Sequence, residues 1–133
     1  MTESVLFLID NMASILLVDD LKFIKRIERN VLEKNGHEIV GDASDGAEAI
    51  VLYLKLKPDI VLMDITMPKV NGIEALEKIL SLDPRAKVVM CSALSHERVL
   101  YKAIKAGAKD YLVKPFTTEQ LLHAIGKVLP SEK

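Results

Sequence analysis

The sequence predicts an α/β fold: a doubly wound, five-stranded parallel sheet with five helices packed on its two faces as a three-layer sandwich. Three observations predict it. Short apolar runs rich in β-branched residues recur along the chain, segments with helical apolar spacing separate them, and Gly or Pro stands at many of the junctions. Such alternation implies right-handed crossovers between parallel strands.

Residues 14–18 (SILLV) form the first run, and its unbroken hydrophobicity fits a strand covered on both faces. The first helix follows, with Ile24, Ile27 and Val31 predicted as its buried stripe and Gly36 as its left-handed stop. Residues 38–41 read as the second strand, and Ala47, Ile50, Val51 and Leu54 as the apolar face of the second helix. Pro58 lies just before the third strand, residues 59–63, where it disturbs no ladder. Asn71-Gly72 reads as the start of the third helix, because the stripe Ile73, Leu76, Ile79 and Leu80 follows it. Pro84 precedes the fourth strand, residues 86–91. The fourth helix, about residues 97–106, has only Val99, Ala103 and Ala106 as a thin apolar face, and Gly107 ends it. Residues 110–113 are the fifth strand. Thr117 and Gln120 have capping-box spacing, so the last helix starts near Thr118 and carries the clearest stripe: Leu121, Leu122, Ile125, Val128 and Leu129.

A chain of 133 residues fits one domain, expected over residues 14–130 after an N-terminal extension, residues 1–13, that is poorly ordered or packed on an edge. The apolar run 5–9 lacks the basic flank of a secretory signal, and Met12 is an alternative start. Eighteen Lys and Arg against nineteen Asp and Glu give a formal charge of −1, which supplies no field for nucleic acid or an anionic membrane. No apolar run approaches the roughly 20 residues that span a bilayer. The single cysteine, Cys91, forms no disulfide within the chain and reads as a small buried residue. The expectation is a cytoplasmic, soluble monomer.

In a sheet of this kind ligands sit outside the carboxyl ends of the strands. There the sequence places Asp19 and Asp20, then Asp64, Ser92, and Lys114 followed by Pro115. An Asp pair alone is an ordinary solvated loop or helix cap. Three carboxylates, a hydroxyl and an ammonium at successive strand ends are another matter. Like charges disfavour joint ionisation, and a hard divalent cation relieves that repulsion; Mg²⁺ typically uses one or two carboxylates, waters and a phosphate. An Asp is a competent nucleophile toward phosphorus, and phosphoryl transfer is mostly positioning and charge neutralisation.

Asp19-Asp20, Asp64 within MDITMP (residues 63–68), Ser92-Ala93 and Lys114-Pro115-Phe116 together resemble the receiver domain of two-component response regulators, over about residues 14–129. The stretches VMCSA, AIKAGAKDY and VKPF most resemble stand-alone, CheY-type members. The resemblance implies the strand order 2-1-3-4-5. It implies Asp64 as phosphoacceptor and a Mg²⁺ held by Asp20, Asp64 and the Thr66 backbone carbonyl, with Asp19 acting through a water. Lys114 would pair with the phosphoryl group, Ser92 and Tyr111 would form the switch, and the Lys114-Pro115 bond would be cis. The implied partners are a histidine kinase of the CheA type as phosphodonor, an output protein (motor switch or adaptor) at the face of helix four, strand five and helix five, and a phosphatase. The implied role is chemotaxis or motility signalling, in a protein that catalyses its own phosphorylation and dephosphorylation.

Thr66 and Leu94 stand where such proteins vary, and neither offers a group to orient a hydrolytic water. His37, His96 and His123 have no metal-ligand spacing and read as surface or boundary residues. Met63, Met67 and Met90 read as core or site-lining residues. Lys102, Lys105, Lys109, Lys114 and Lys127 fall around the implied output face, mostly as solvated surface. Two alternatives share the motifs: a phosphorelay carrier or the receiver of a larger transcriptional regulator, and a Mg²⁺-dependent hydrolase with an aspartyl-phosphate intermediate. The hydrolase reading lacks a second Asp two residues after Asp64, where Thr66 stands. A flavodoxin-like binder lacks its phosphate loop after Val18.

Overall fold

The computed structural model describes residues 12–67, 70–93 and 97–129. Residues 1–11, Leu94 and His96 lie outside them. Strands β1 (Ser14–Val18), β2 (Glu38–Ala43), β3 (Ile60–Asp64), β4 (Val88–Ser92) and β5 (Asp110–Val113) form one parallel sheet in the order β2-β1-β3-β4-β5. They alternate with helices α1 (Lys22–Lys34), α2 (Gly46–Leu56), α3 (Gly72–Leu82), α4 (Glu97–Lys105) and α5 (Thr118–Val128).

Strand side chains point alternately to the two faces, so each strand feeds two cores. Leu16, Val18, Val61, Met63, Val88 and Met90 pack with Ala49 and Tyr53 of α2, Leu76 and Ile79 of α3, and Ala103 of α4. Ile15, Leu17, Ile60, Leu62, Val89 and Cys91 pack on the other face with Leu32 of α1 and Leu121, Ala124 and Ile125 of α5. The helix ends follow local chemistry. Gly36 and Gly107 take positive φ after α1 and α4, and both Asn71–Glu74 and Thr117–Gln120 close reciprocal capping boxes. Ala13, expected in the extension, is buried, and its carbonyl accepts the Glu38 N–H at 2.8 Å.

The structure moves five expected strand boundaries, among them the ends of β3 at Asp64 and of β4 at Ser92, and two expected helix faces. The second strand runs to Ala43, with a register break between Ile15 and Leu16 of its neighbour; β3 starts at Ile60 and β4 at Val88. On α1 the buried positions are Lys25, Glu28 and Leu32, one residue on from the expected Ile24, Ile27 and Val31, and Ile27 is 48% exposed. The reason is the Lys25 ammonium, which reaches the end of β2: it donates to the Ala43 carbonyl at 3.2 Å, to Asp42 at 3.1 Å and to Ser44 at 3.0 Å. On α2 the inward positions are Gly46, Ala49 and Tyr53, while Val51 is 64% exposed. The Tyr53 hydroxyl donates to Asp83 at 2.6 Å, and the Gly46 N–H donates to the Val70 carbonyl at 3.1 Å, which together fix that face inward.

Candidate functional site

Parallel pairing of β1, β3, β4 and β5 brings their carboxyl ends to one edge, and the sequence-predicted residues converge there. Asp19 follows β1, is almost fully buried, and has both carboxylate oxygens engaged: one accepts the Leu21 N–H at 3.0 Å, the other the Lys114 ammonium at 2.7 Å. Asp64, the last residue of β3, is buried and lies 3.8 Å from the same ammonium. Asp20 is exposed. Carboxylate oxygens of Asp19, Asp20 and Asp64 all lie within 4.8 Å of one another, the one such acidic group among the described residues.

The backbone behind Asp64 is tightly constrained. The Gly72 N–H donates to the Ile65 carbonyl at 2.8 Å, and a Cβ at Gly72 would stand 2.2 Å from the Asp64 carbonyl oxygen. Only glycine lets α3 begin so close to the end of β3. Ser92 ends β4 and is buried; its carbonyl accepts the Lys114 N–H at 2.8 Å, which registers β5 against the site. The Lys114–Pro115 peptide is cis. Tyr111 is half-buried, its ring packs against the core of the α3 face, and a hydrogen bond joins its hydroxyl to Ser92.

The electrostatics follow from this crowding. Burial pushes the Asp64 carboxyl up to about 6, an effect that the Lys114 charge opposes and the Asp19 charge reinforces, with a hydrogen bond from the Thr66 backbone on the lowering side. Burial alone would lower Lys114, but the hydrogen bond to Asp19 and the charge of Asp64 outweigh it and hold the ammonium above the usual lysine range. Burial drives the Cys91 thiol well above its usual value, so it is an inert core group. His37 accepts the Ala13 N–H and His123 is exposed; both stand away from the cluster.

Sequence reasoning passed over Glu28. It is buried on α1, its Oε2 has no hydrogen-bond partner, and burial followed by the charge of Asp19 pushes it up to about 8. The available signal was spacing: Lys25, Glu28 and Leu32 repeat at three and four residues, as the neighbouring apolar stripe does.

A donor set of carboxylate oxygens fits a hard cation such as Mg²⁺, and suits soft or nitrogen-seeking metals poorly. Three carboxylates against one neighbouring ammonium leave the site with a surplus of negative charge for such an ion to balance. What the arrangement offers chemically is a buried carboxylate nucleophile, a fixed ammonium and a hydroxyl at one crevice.

Residues 15–126 match the family model of the response regulator receiver domain. The chain belongs to that family. Among its relatives, this receiver domain is 46% identical over 114 residues to the chemotaxis protein CheY of Thermotoga maritima, covering 86% of this chain and 95% of that one. It is 49% identical over 118 residues to Protein CcdB of Bacillus subtilis, covering 89% and 98%. Among solved structures, the CheX–CheY–BeF3–Mg complex from Borrelia burgdorferi superposes with a TM-score of 0.85 at 35% identity, over 88% of this chain and 89% of that one. No helix among the described residues is long and apolar enough to cross a membrane.

Proposed function

We propose that this receiver accepts a phosphoryl group on Asp64 from a histidine kinase and thereby switches its affinity for an output protein, as a single-domain regulator in chemotaxis or motility signalling. The receiver unit is placed at residues 14–130, in a cytoplasmic monomer. The observation that carries the reading is the buried Asp64 carboxylate at the end of β3, 3.8 Å from the Lys114 ammonium and within the carboxylate cluster. Kinship with CheY of Thermotoga maritima supports the chemotaxis role.

In the transfer, a carboxylate oxygen of Asp64 attacks phosphorus, and the new O–P bond forms as the donor's P–N bond breaks and its electron pair leaves with the imidazole. With its carboxyl at about 6, Asp64 is mostly the ionised nucleophile at neutral pH. Lys114 holds positive charge where a phosphoryl oxygen would lie, and Ser92 presents a hydroxyl at the neighbouring strand end. Asp20, Asp64 and the Thr66 carbonyl would hold Mg²⁺, which supplies neutralisation of charge on the phosphoryl oxygens. Asp19, whose two oxygens already accept from Leu21 and Lys114, suits a role through a bridging water. The Ser92–Tyr111 hydrogen bond is the natural relay: movement of the hydroxyl toward a phosphoryl oxygen frees the ring, and the surface of α4, β5 and α5 changes with it. On that surface Leu100, Tyr101, Ile104 and Val113 are exposed apolar residues available to a partner.

The test is intact mass after incubation with a small acyl phosphate and Mg²⁺, beside an Asp64→Asn variant. One phosphoryl group gained by the parent alone, and abolished by a chelator, is expected. A parent that stays unmodified while folded, or a variant modified equally, overturns Asp64 as acceptor.

A further inference from the structure

A groove of about 380 Å³ opens between α1 and the segment that follows β5, a volume within the range of small-ligand sites. Ile24, Ile27, Ala93 and Phe116 give it apolar walls, and Glu28 and Lys114 supply its polar atoms. Glu28 is only 3% exposed, and its Oε2 accepts no hydrogen bond. A buried carboxyl oxygen without a donor is costly, so its lack of a partner needs an explanation.

The two nearby ammonium groups do not supply one. Lys25 is committed to Asp42, the Ala43 carbonyl and Ser44, and Lys114 to Asp19 and Asp64. Among the charges that Glu28 feels, Asp19 and Asp64 are negative and Lys25 and Lys114 positive, so protonated Glu28 stands in a balanced field, and a cation that ionises it meets a third carboxylate against the two ammoniums already committed. An anion would find both neighbouring ammoniums already committed, and a purely apolar molecule would leave Oε2 as it is. A cation with N–H groups on an apolar skeleton answers both features of the groove.

We propose that this groove binds a small organic ammonium, its carbon skeleton against Ile24, Ile27 and Phe116 and its N–H groups donated to the Glu28 carboxyl, which turns toward the groove to receive them. Asp19, Asp20 and Asp64 are not among the residues that line the groove; Lys114, which lines it, is held by Asp19. The push of burial on Glu28 is consistent with this, because a donor reaching the carboxylate supplies the partner that burial removed.

The probe is benzylammonium, with benzyl alcohol as its uncharged counterpart, titrated into the full-length, isotope-labelled chain without divalent metal while backbone amide shifts are followed. Saturable shifts at Ile24, Ile27, Glu28 and Phe116 are expected with the ammonium, with the alcohol about tenfold or more weaker. Glu28→Leu, which replaces an unpartnered carboxyl by an apolar group of similar size and so keeps the fold, should weaken the ammonium by at least about tenfold, and Glu28→Gln by a similar factor. Absence of saturable shifts in the parent, equal binding of the alcohol, or undiminished binding by Glu28→Leu each overturns the proposal.

Discussion

Glu28→Gln tests the electrostatic account of the interior directly. The variant keeps the shape of the side chain and removes its titration. In the native protein the Glu28 carboxyl is pushed from the ordinary 4.5 to about 8, so between those values the folded state binds a proton that the unfolded chain has released. Stability therefore falls as pH rises: the contribution is intact below 4.5 and is lost progressively up to about 8. At about 1.4 kcal/mol per pH decade, the full loss is about 5 kcal/mol above pH 8 and about 3 kcal/mol at pH 7. Both figures are upper values, since a small outward turn of the side chain would hydrate it. Urea unfolding in the presence of a chelator, followed from about pH 5 to about pH 9, gives the two stability curves. They should nearly coincide at the acid end and diverge toward the alkaline end, with the Gln variant the more stable. Parallel curves across that range would show that Glu28 is solvated or paired in solution, and would refute the reasoning.

Three further outcomes follow from the site. Lys114→Met should lower stability by about 3 kcal/mol, because it strands the buried Asp19 carboxylate, and should raise the Asp64 titration above about 6 in an NMR titration, because the charge that lowers it is gone. Mg²⁺ at a hundredfold excess over its dissociation constant should stabilise the parent by about 2.7 kcal/mol in thermal unfolding, an effect weakened in Asp20→Asn. That gain should grow as pH rises through about 6, where Asp64 ionises. Gly72→Ala, which would set a Cβ 2.2 Å from the Asp64 carbonyl oxygen and 2.7 Å from the Ile65 Cα, should cost about 3 kcal/mol in urea and slow phosphoryl uptake by displacing the acceptor.

Much of this molecule was legible in its residues because the relevant signals are local. Continuous apolar runs mark buried parallel strands, and Thr117–Gln120 marks a helix start, whatever the rest of the chain does. The strand-end residues were legible because the doubly wound topology has one place for them to meet. The inward faces of α1 and α2 were not. Periodicity ranks residues by hydrophobicity, while the facing of α1 is set by an ammonium that satisfies three acceptors at the end of β2, and that of α2 by a Tyr–Asp hydrogen bond thirty residues apart in sequence. Such partners become visible only once the chain is folded. Glu28 went unseen for the same reason: a carboxylate on the buried side of a helix contradicts the pattern that identifies that side.

The register break between β1 and β2 has a consequence for behaviour at high concentration. A parallel sheet that does not close leaves two rows of unpaired amide and carbonyl groups, and each is a template for fibril-like growth. Here the outer strand β2 has a register break against its neighbour and carries exposed Glu38 and Asp42, while the other outer strand, β5, is only four residues long and is followed within two residues by Pro115, which has no N–H to offer. Neither rim offers a flat, uncharged length of backbone. The sheet is thereby guarded against edge-to-edge aggregation.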